Sequence, residues 1–284
     1  MKIFSILELL LLACVWGASY LFTRIAAPAL GPVLLTELRV LLSGLTILLL
    51  SLRSNIVEEI RQNLVPLFVL GCINLAIPFI LFAIAALYLP AGFTSILNAT
   101  VPLFGTIIAF AWLKEKLTWS SLVGLIIGFA GVVVLVGWTS MPINISFVLS
   151  TSAGLLGAFM YAIAAPYAKN KLSDVSSMAI STGSQLGAAV VLLPFTPFFL
   201  PTSSISIEVI GVVAALALFS TALAYILYFR LINSVGVTKT LTVTYLVPLF
   251  AIFWGAIVLN EPITISMLIG CGLILSGTAI AISK

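Results

Sequence analysis

The chain has 284 residues, 62% of them hydrophobic and only 7% charged, with 12 Lys+Arg, 8 Asp+Glu and no histidine. Soluble domains carry about 25% charged residues, so a water-soluble enzyme, a nucleic-acid-binding module and a secreted disulfide scaffold are excluded. Apolar runs of about 20 residues exclude a β-barrel, whose strands alternate apolar and polar residues, and the missing histidine removes His-based metal sites, general bases and proton relays.

A helix needs about 20 apolar residues to cross the hydrocarbon. In chain order the candidate spans are 4–25, 33–52, 64–88, 93–112, 119–138, 147–168, 176–199, 208–229, 237–258 and 263–283. Turn residues cluster at the breaks, as in Pro28-Ala29-Leu30-Gly31-Pro32, Pro90-Ala91-Gly92 and Asn260-Glu261-Pro262. The expected fold is an all-α integral membrane protein of ten transmembrane helices. The first run continues to about Ile25, too long for the apolar core of a signal peptide, and reads as a retained helix. With the N-terminus inside, Lys2, Arg53, Arg61, Lys114, Lys116, Lys169, Lys171, Arg230, Lys239 and Lys284 share the inner side, 10 of the 12 basic residues. The positive-inside rule then makes both termini cytoplasmic, in a multi-pass protein of the plasma or inner membrane. Cys14, Cys72 and Cys271 stand singly in apolar runs and read as small buried hydrophobes.

The chain repeats itself. Val101-Pro102-Leu103-Phe104 recurs as Val247-Pro248-Leu249-Phe250, an offset of 146. That offset also pairs Glu115 with Glu261, Thr118 with Thr264, Gly124 with Gly270 and Gly131 with Gly277; 11 of the 31 positions from 101 to 131 are identical without a gap. The repeats are residues 1–141 and 142–284. Each holds five spans, an odd number, so the second is inverted relative to the first. Inverted repeats mark secondary transporters, with the substrate near the midplane and alternating access by motion of one unit against the other. No P-loop, H-E-x-x-H or G-x-S-x-G motif occurs, and no filter or charged ring. Transport would therefore be secondary or facilitated, and an intramembrane enzyme, a pump and a channel are not expected; nor is a passive scaffold, which fits the composition but not the repeat with its paired prolines. No cofactor, metal or nucleic-acid partner is expected; the partners are a small-molecule substrate and the lipid bilayer.

The ordered motifs resemble the EamA family of the drug/metabolite transporter superfamily. The resemblance rests on Trp16-Gly17-Ala18-Ser19, Arg39, Ala85-Ala86-Leu87-Tyr88-Leu89-Pro90-Ala91, Pro102, Glu115, Gly124 and Gly131 in the first copy. In the second it rests on Ala224-Tyr225, Pro248, Leu259-Asn260-Glu261, Gly270 and Gly277. It implies a ten-helix carrier of small metabolites, often an exporter of amino acids or related solutes; multidrug or sugar-type carriers share the fold. Lys114 and Asn260 stand where the family usually has Gly before the Glu.

Candidate binding residues follow from polar and aromatic groups deep in the spans. Pro102 and Pro248 free the carbonyls of Asn98 and Thr244, four residues earlier. These two prolines are candidate helix breaks or hinges, serving either a site or a plain kink. The repeat offset pairs Asn74 with Ser220 and Phe79 with Tyr225; at 145 it pairs Trp16 with Tyr161. Tyr20, Gln185 and Tyr245 complete a set of amides, hydroxyls and rings suited to a small neutral or zwitterionic solute. Arg24, Glu37 and Arg39 are the candidate gate or coupling residues. Glu37 and Arg39 lie two apart, on different faces, so Arg24 is the expected partner of Glu37. Glu8 is read as reaching the interface. Charges within the spans are so few that a strongly charged substrate is not expected. Glu115 and Glu261 are expected to accept N–H groups at the starts of the fifth and tenth spans. Gly124, Gly128, Gly131, Gly270, Gly272 and Gly277 allow close helix approach, either within the protomer or in a homodimer.

Overall fold

The computed structural model describes residues 3–51, 56–112, 114, 116, 118–139, 141–202 and 204–282, with only the backbone of 237 and 238. Every regular element among them is helical. The elements are α1 (Ile3–Leu50), α2 (Ile56–Gln62), α3 (Leu64–Tyr88), α4 (Ala91–Asn98), α5 (Val101–Ala111) and α6 (Trp119–Gly137). They continue as α7 (Ile145–Lys171), α8 (Ser177–Leu192), α9 (Ile207–Val235), α10 (Val237–Leu241), α11 (Val243–Leu259) and α12 (Ile265–Ile282). Eight stretches are long and apolar enough to cross a membrane: α1, α3, α4 with α5, α6, α7, α9, α10 with α11, and α12. Large apolar side chains such as Ile126, Val133, Ile207 and Phe198 stand exposed on the outside. That is the surface of a protein solvated by lipid.

Straight, the 48 residues of α1 would measure about 72 Å, over twice the hydrocarbon thickness of about 30 Å. Gly31 interrupts it with φ 74° and ψ 159°, a region open in practice only to glycine. The two arms of α1 coincide with the first two spans expected. The span expected over 176–199 is shorter than expected, because α8 stops at Leu192. Pro194 and Pro197 have no N–H to continue an α-helix, and the chain passes into a 3-10 turn over Thr196–Phe199. The two hinge prolines also differ. A break at Ala99 and Thr100 separates α4 from α5, and Pro102 sits in the first turn of the new helix. Pro248 lies inside α11, and the break in that copy falls earlier, at Thr242.

The repeat is visible in local geometry. π-helical turns interrupt α3 at Cys72–Ala76 and α9 at Leu218–Leu223, and their first residues are 146 apart. Lys114 and Asn260, also 146 apart, take left-handed φ values of 55° and 54°. Thr118 accepts the N–H of Ser121 at the start of α6, and Thr264 accepts that of Met267 at the start of α12. These threonines therefore do the capping expected of the glutamates. Glu115 lies outside the described residues. Glu261 instead accepts the N–H of Ala91, at the start of α4, at 2.9 Å.

Helices α6 and α12 pack backbone to backbone. A Cβ on Gly131 would lie 2.9 Å from the Gly270 carbonyl oxygen and 2.8 Å from the Ile274 nitrogen. One on Gly124 or Gly277 would meet the opposite backbone more closely still, at Ala281 and Gly128 respectively. Rising numbers in α6 meet falling numbers in α12, so these equivalent helices run antiparallel. The glycines thus serve packing within one chain; Gly272 faces open space.

Candidate functional site

Between the two halves of the chain lies a cavity of about 640 Å³. Both arms of α1 reach it, through Trp16, Ser19 and Tyr20 on the first and Arg39 on the second. From the remainder of the first copy come Phe79, Ser95, Asn98 and Pro102. From the second come Tyr161, Ser220, Tyr225, Thr242, Thr244, Tyr245 and Pro248, with Leu275, Thr278 and Ile282 along one face of α12. The broken backbone between α4 and α5, and the π turn of α9, thus border the cavity. Irregular helix inside a membrane is tolerated where it is buried or lines a cavity, and π turns gather at functional sites.

One wall is aromatic. Phe79 meets Tyr161 edge-on at 6.3 Å, Tyr161 stacks on Phe82 at 5.7 Å, and Phe82 meets Tyr20 edge-on at 6.3 Å. The guanidinium of Arg39 lies over the Phe79 ring, 3.7 Å from its centroid, and its Nε donates to Thr221 Oγ1 at 3.0 Å. Asn98 Oδ1 and Ser220 Oγ are buried, with no hydrogen-bond partner among the described residues. The hydroxyls of Ser19, Ser95 and Thr244 donate to carbonyls three residues earlier in their own helices. Their remaining lone pairs are free to accept.

Asn74 and Gln185 are not brought to this cavity. Asn74 sits in the π turn of α3. Gln185, 1% exposed, donates to Ser181 Oγ at 3.2 Å and packs beside Gly44 of α1. A buried amide in lipid needs partners; the bond to Ser181 lies within α8, and Gln185 Oε1 has no hydrogen-bond partner among the described residues. Ser95, Thr242 and Thr278 carry no sequence signal beyond the 3-4 spacing of Leu275, Thr278 and Ile282, which marks one face of α12.

The charges are wired differently from expectation. Arg24 does not meet Glu37. Its Nη1 donates to the Ala86 carbonyl at 2.6 Å, and its Nε lies 3.6 Å from Glu261 Oε1. Glu261 thereby joins the first arm of α1, the start of α4 and the end of α11. Burial raises the pKa of its carboxyl, and the Ala91 N–H and Arg24 pull it partly back. Glu37 is 3% exposed, and neither of its oxygens has a hydrogen-bond partner among the described residues. Glu8 does not simply reach the interface: it is buried and its Oε1 lies 2.9 Å from Arg230 Nε.

The model of the EamA-like transporter family matches residues 3–137 and again residues 149–283. The chain belongs to the EamA-like transporter family. It is 23% identical over 269 residues to an uncharacterized transporter of Archaeoglobus fulgidus, covering 95% of each chain. It is 22% identical to an S-adenosylmethionine/S-adenosylhomocysteine transporter of Chlamydia trachomatis serovar L2, over 96% of this chain and 87% of that one. A solved crystal structure shares the fold with a TM-score of 0.70 at 20% identity, covering 99% of this chain and 97% of the other. This EamA-like protein is therefore a multi-pass membrane protein of a transporter family, not an enzyme.

Proposed function

We propose that this EamA-like protein is a secondary or facilitated carrier that exports small organic metabolites, with amino acids or related solutes as the leading class. The observation that carries the reading is the cavity, walled by both sequence copies and bordered by interrupted helix. Counting each arm of α1 and the short α8 as a crossing gives ten, in two inverted sets of five with both termini cytoplasmic. The antiparallel packing of α6 on α12 supports the inversion. A relative named for S-adenosylmethionine and S-adenosylhomocysteine, both amino-acid derivatives, supports the substrate class.

In this reading the cavity opens to the cytoplasm. Leu241, Thr242, Thr244 and Ile282, at the start of α10–α11 and the end of α12, are exposed lining residues. At the other end Leu89, Ala91 and Phe93 are buried. The Arg24–Glu261 contact and the Glu261–Ala91 hydrogen bond hold that end shut and form the outer gate. Export then requires this end to open while the mouth at Thr242 closes. The test is flux of a labelled panel of amino acids, sugars and cationic drugs in proteoliposomes. Saturable flux of an amino-acid-like solute is the expected result, reduced by Asn98→Ala and Thr244→Ala in folded protein. No solute-dependent flux across the panel would sink the carrier reading.

A further inference from the structure

Among the described residues that line the cavity one is charged, Arg39. It lies 8 residues past Gly31, about 12 Å along the helix axis and well inside the membrane. An arginine at such depth is costly to insert, and such charges are normally paired. The other arginines with a described ion pair have carboxylates: Arg24 has Glu261 and Arg230 has Glu8. Arg39 has none among the described residues. Glu37, two positions earlier on another face, forms no ion pair with it.

The contacts Arg39 does make leave its charge exposed to the cavity. A guanidinium has five N–H donors. Nε–H is spent on Thr221 Oγ1, whose own proton goes to the Leu216 carbonyl. The four donors on the terminal nitrogens have no acceptor among the described residues. Stacking on Phe79 fixes the plane of the fork without neutralising it. Tyr20, Tyr161 and Tyr225 stand around it, and Asn98 carries its unpartnered oxygen into the same space.

We infer that Arg39 is the anion-binding residue of the cavity, and that the transported solute carries one oxyanion, a carboxylate or a group of like charge, on an apolar or aromatic body. The inference rests on the carrier reading and narrows its substrate class. The rigid fork matches a carboxylate in two parallel hydrogen bonds. A single fixed charge neutralises one negative charge; a phosphomonoester, with about −1.5 to −2, would leave part of its charge uncompensated beside the aromatic wall. The aromatic wall takes the body of the solute, and Asn98 takes an N–H or ammonium. A free carboxylate thus replaces the counter-ion that the chain itself omits. A solute with a single oxyanion stays within the expectation against a strongly charged substrate: the spans hold few charges, and Arg39 faces the cavity with no ion pair among the described residues.

The test is thermal unfolding of the purified full chain with L-amino acids, their C-terminal amides, their decarboxylated amines, 3-phenylpropionate and phenyl phosphate. At least one carboxylate is expected to raise Tm saturably, while its matched amide and amine do not, and phenyl phosphate binds more weakly than 3-phenylpropionate. Arg39→Lys, which keeps the charge and loses the fork, should weaken the apparent Kd about tenfold, and Arg39→Gln should abolish the response. Equal binding of an amide, an amine or phenyl phosphate overturns the assignment. So does wild-type binding by both variants, or no response to any monoanion. Proteoliposome flux separates this from the parent reading. Flux of neutral or cationic solutes that survives Arg39→Gln ends the anion assignment and leaves a carrier. Arg39-dependent binding with no flux of any bound solute ends the carrier reading and leaves the anion site.

Discussion

Lys114 and Asn260 hold left-handed backbone that glycine adopts freely. An L-residue there is disfavoured by roughly 1–2 kcal/mol, with Asn penalised less than most. Lys114→Gly should therefore raise the unfolding temperature by the equivalent of about 1 kcal/mol, and Asn260→Gly by less; a fall in either variant would show that its side chain holds the turn. The same scale explains which site residues are legible in the sequence. Tyr20, Tyr161, Tyr225 and Asn98 betray themselves as polar groups with no business facing lipid. Ser19, Ser95 and Thr244 can bond back to their own helices, so a hydroxyl in a span carries little information about what it faces. Gln185 is as polar as Asn98 yet lies between helices, because residue type does not give the rotation of a helix about its axis.

At the scale of the element, length and apolarity locate most helices to within a few residues; α8 is the exception, since its apolar run continues past Pro194 and Pro197 while the helix itself stops at Leu192. The π turns of α3 and α9 have no comparable signal; the wider turn is set by packing, and only its recurrence 146 residues later shows it to be built in. Glycine spacing does reveal that α6 and α12 meet something closely. Whether that is each other or a second copy is decided by the three-dimensional pairing alone. Gly277→Leu would force a side chain against the backbone of α6 at Gly128. Overpacking costs typically 1–3 kcal/mol, so Tm should fall clearly, whereas Gly272→Leu, facing open space, should leave it unchanged. Equal effects of the two would contradict the packing described.

At the scale of the whole molecule, two copies of one unit enclose a largely apolar cavity with a few polar groups, exposed at the Thr242 end; in the proposed reading it is closed where Arg24 meets Glu261. The repeat is legible because Val-Pro-Leu-Phe, the glutamates and the glycines recur at one offset. The proposed gate contact is not, since it joins Arg24 to Glu261 across 237 residues rather than to Glu37, the nearest acid within the spans. Alternating access is the central claim, and side-specific labelling tests it most directly. A single cysteine would replace Ser19 of the cavity in a background lacking Cys14, Cys72 and Cys271, with the protein reconstituted in one orientation. A membrane-impermeant maleimide should label it from the inner side at rest. From the outer side, labelling should be slow in the wild-type gate and at least tenfold faster with Arg24→Ala, while inner-side labelling falls. Fast labelling from both sides at once, or none from the outer side in any variant, would contradict alternating access through this cavity.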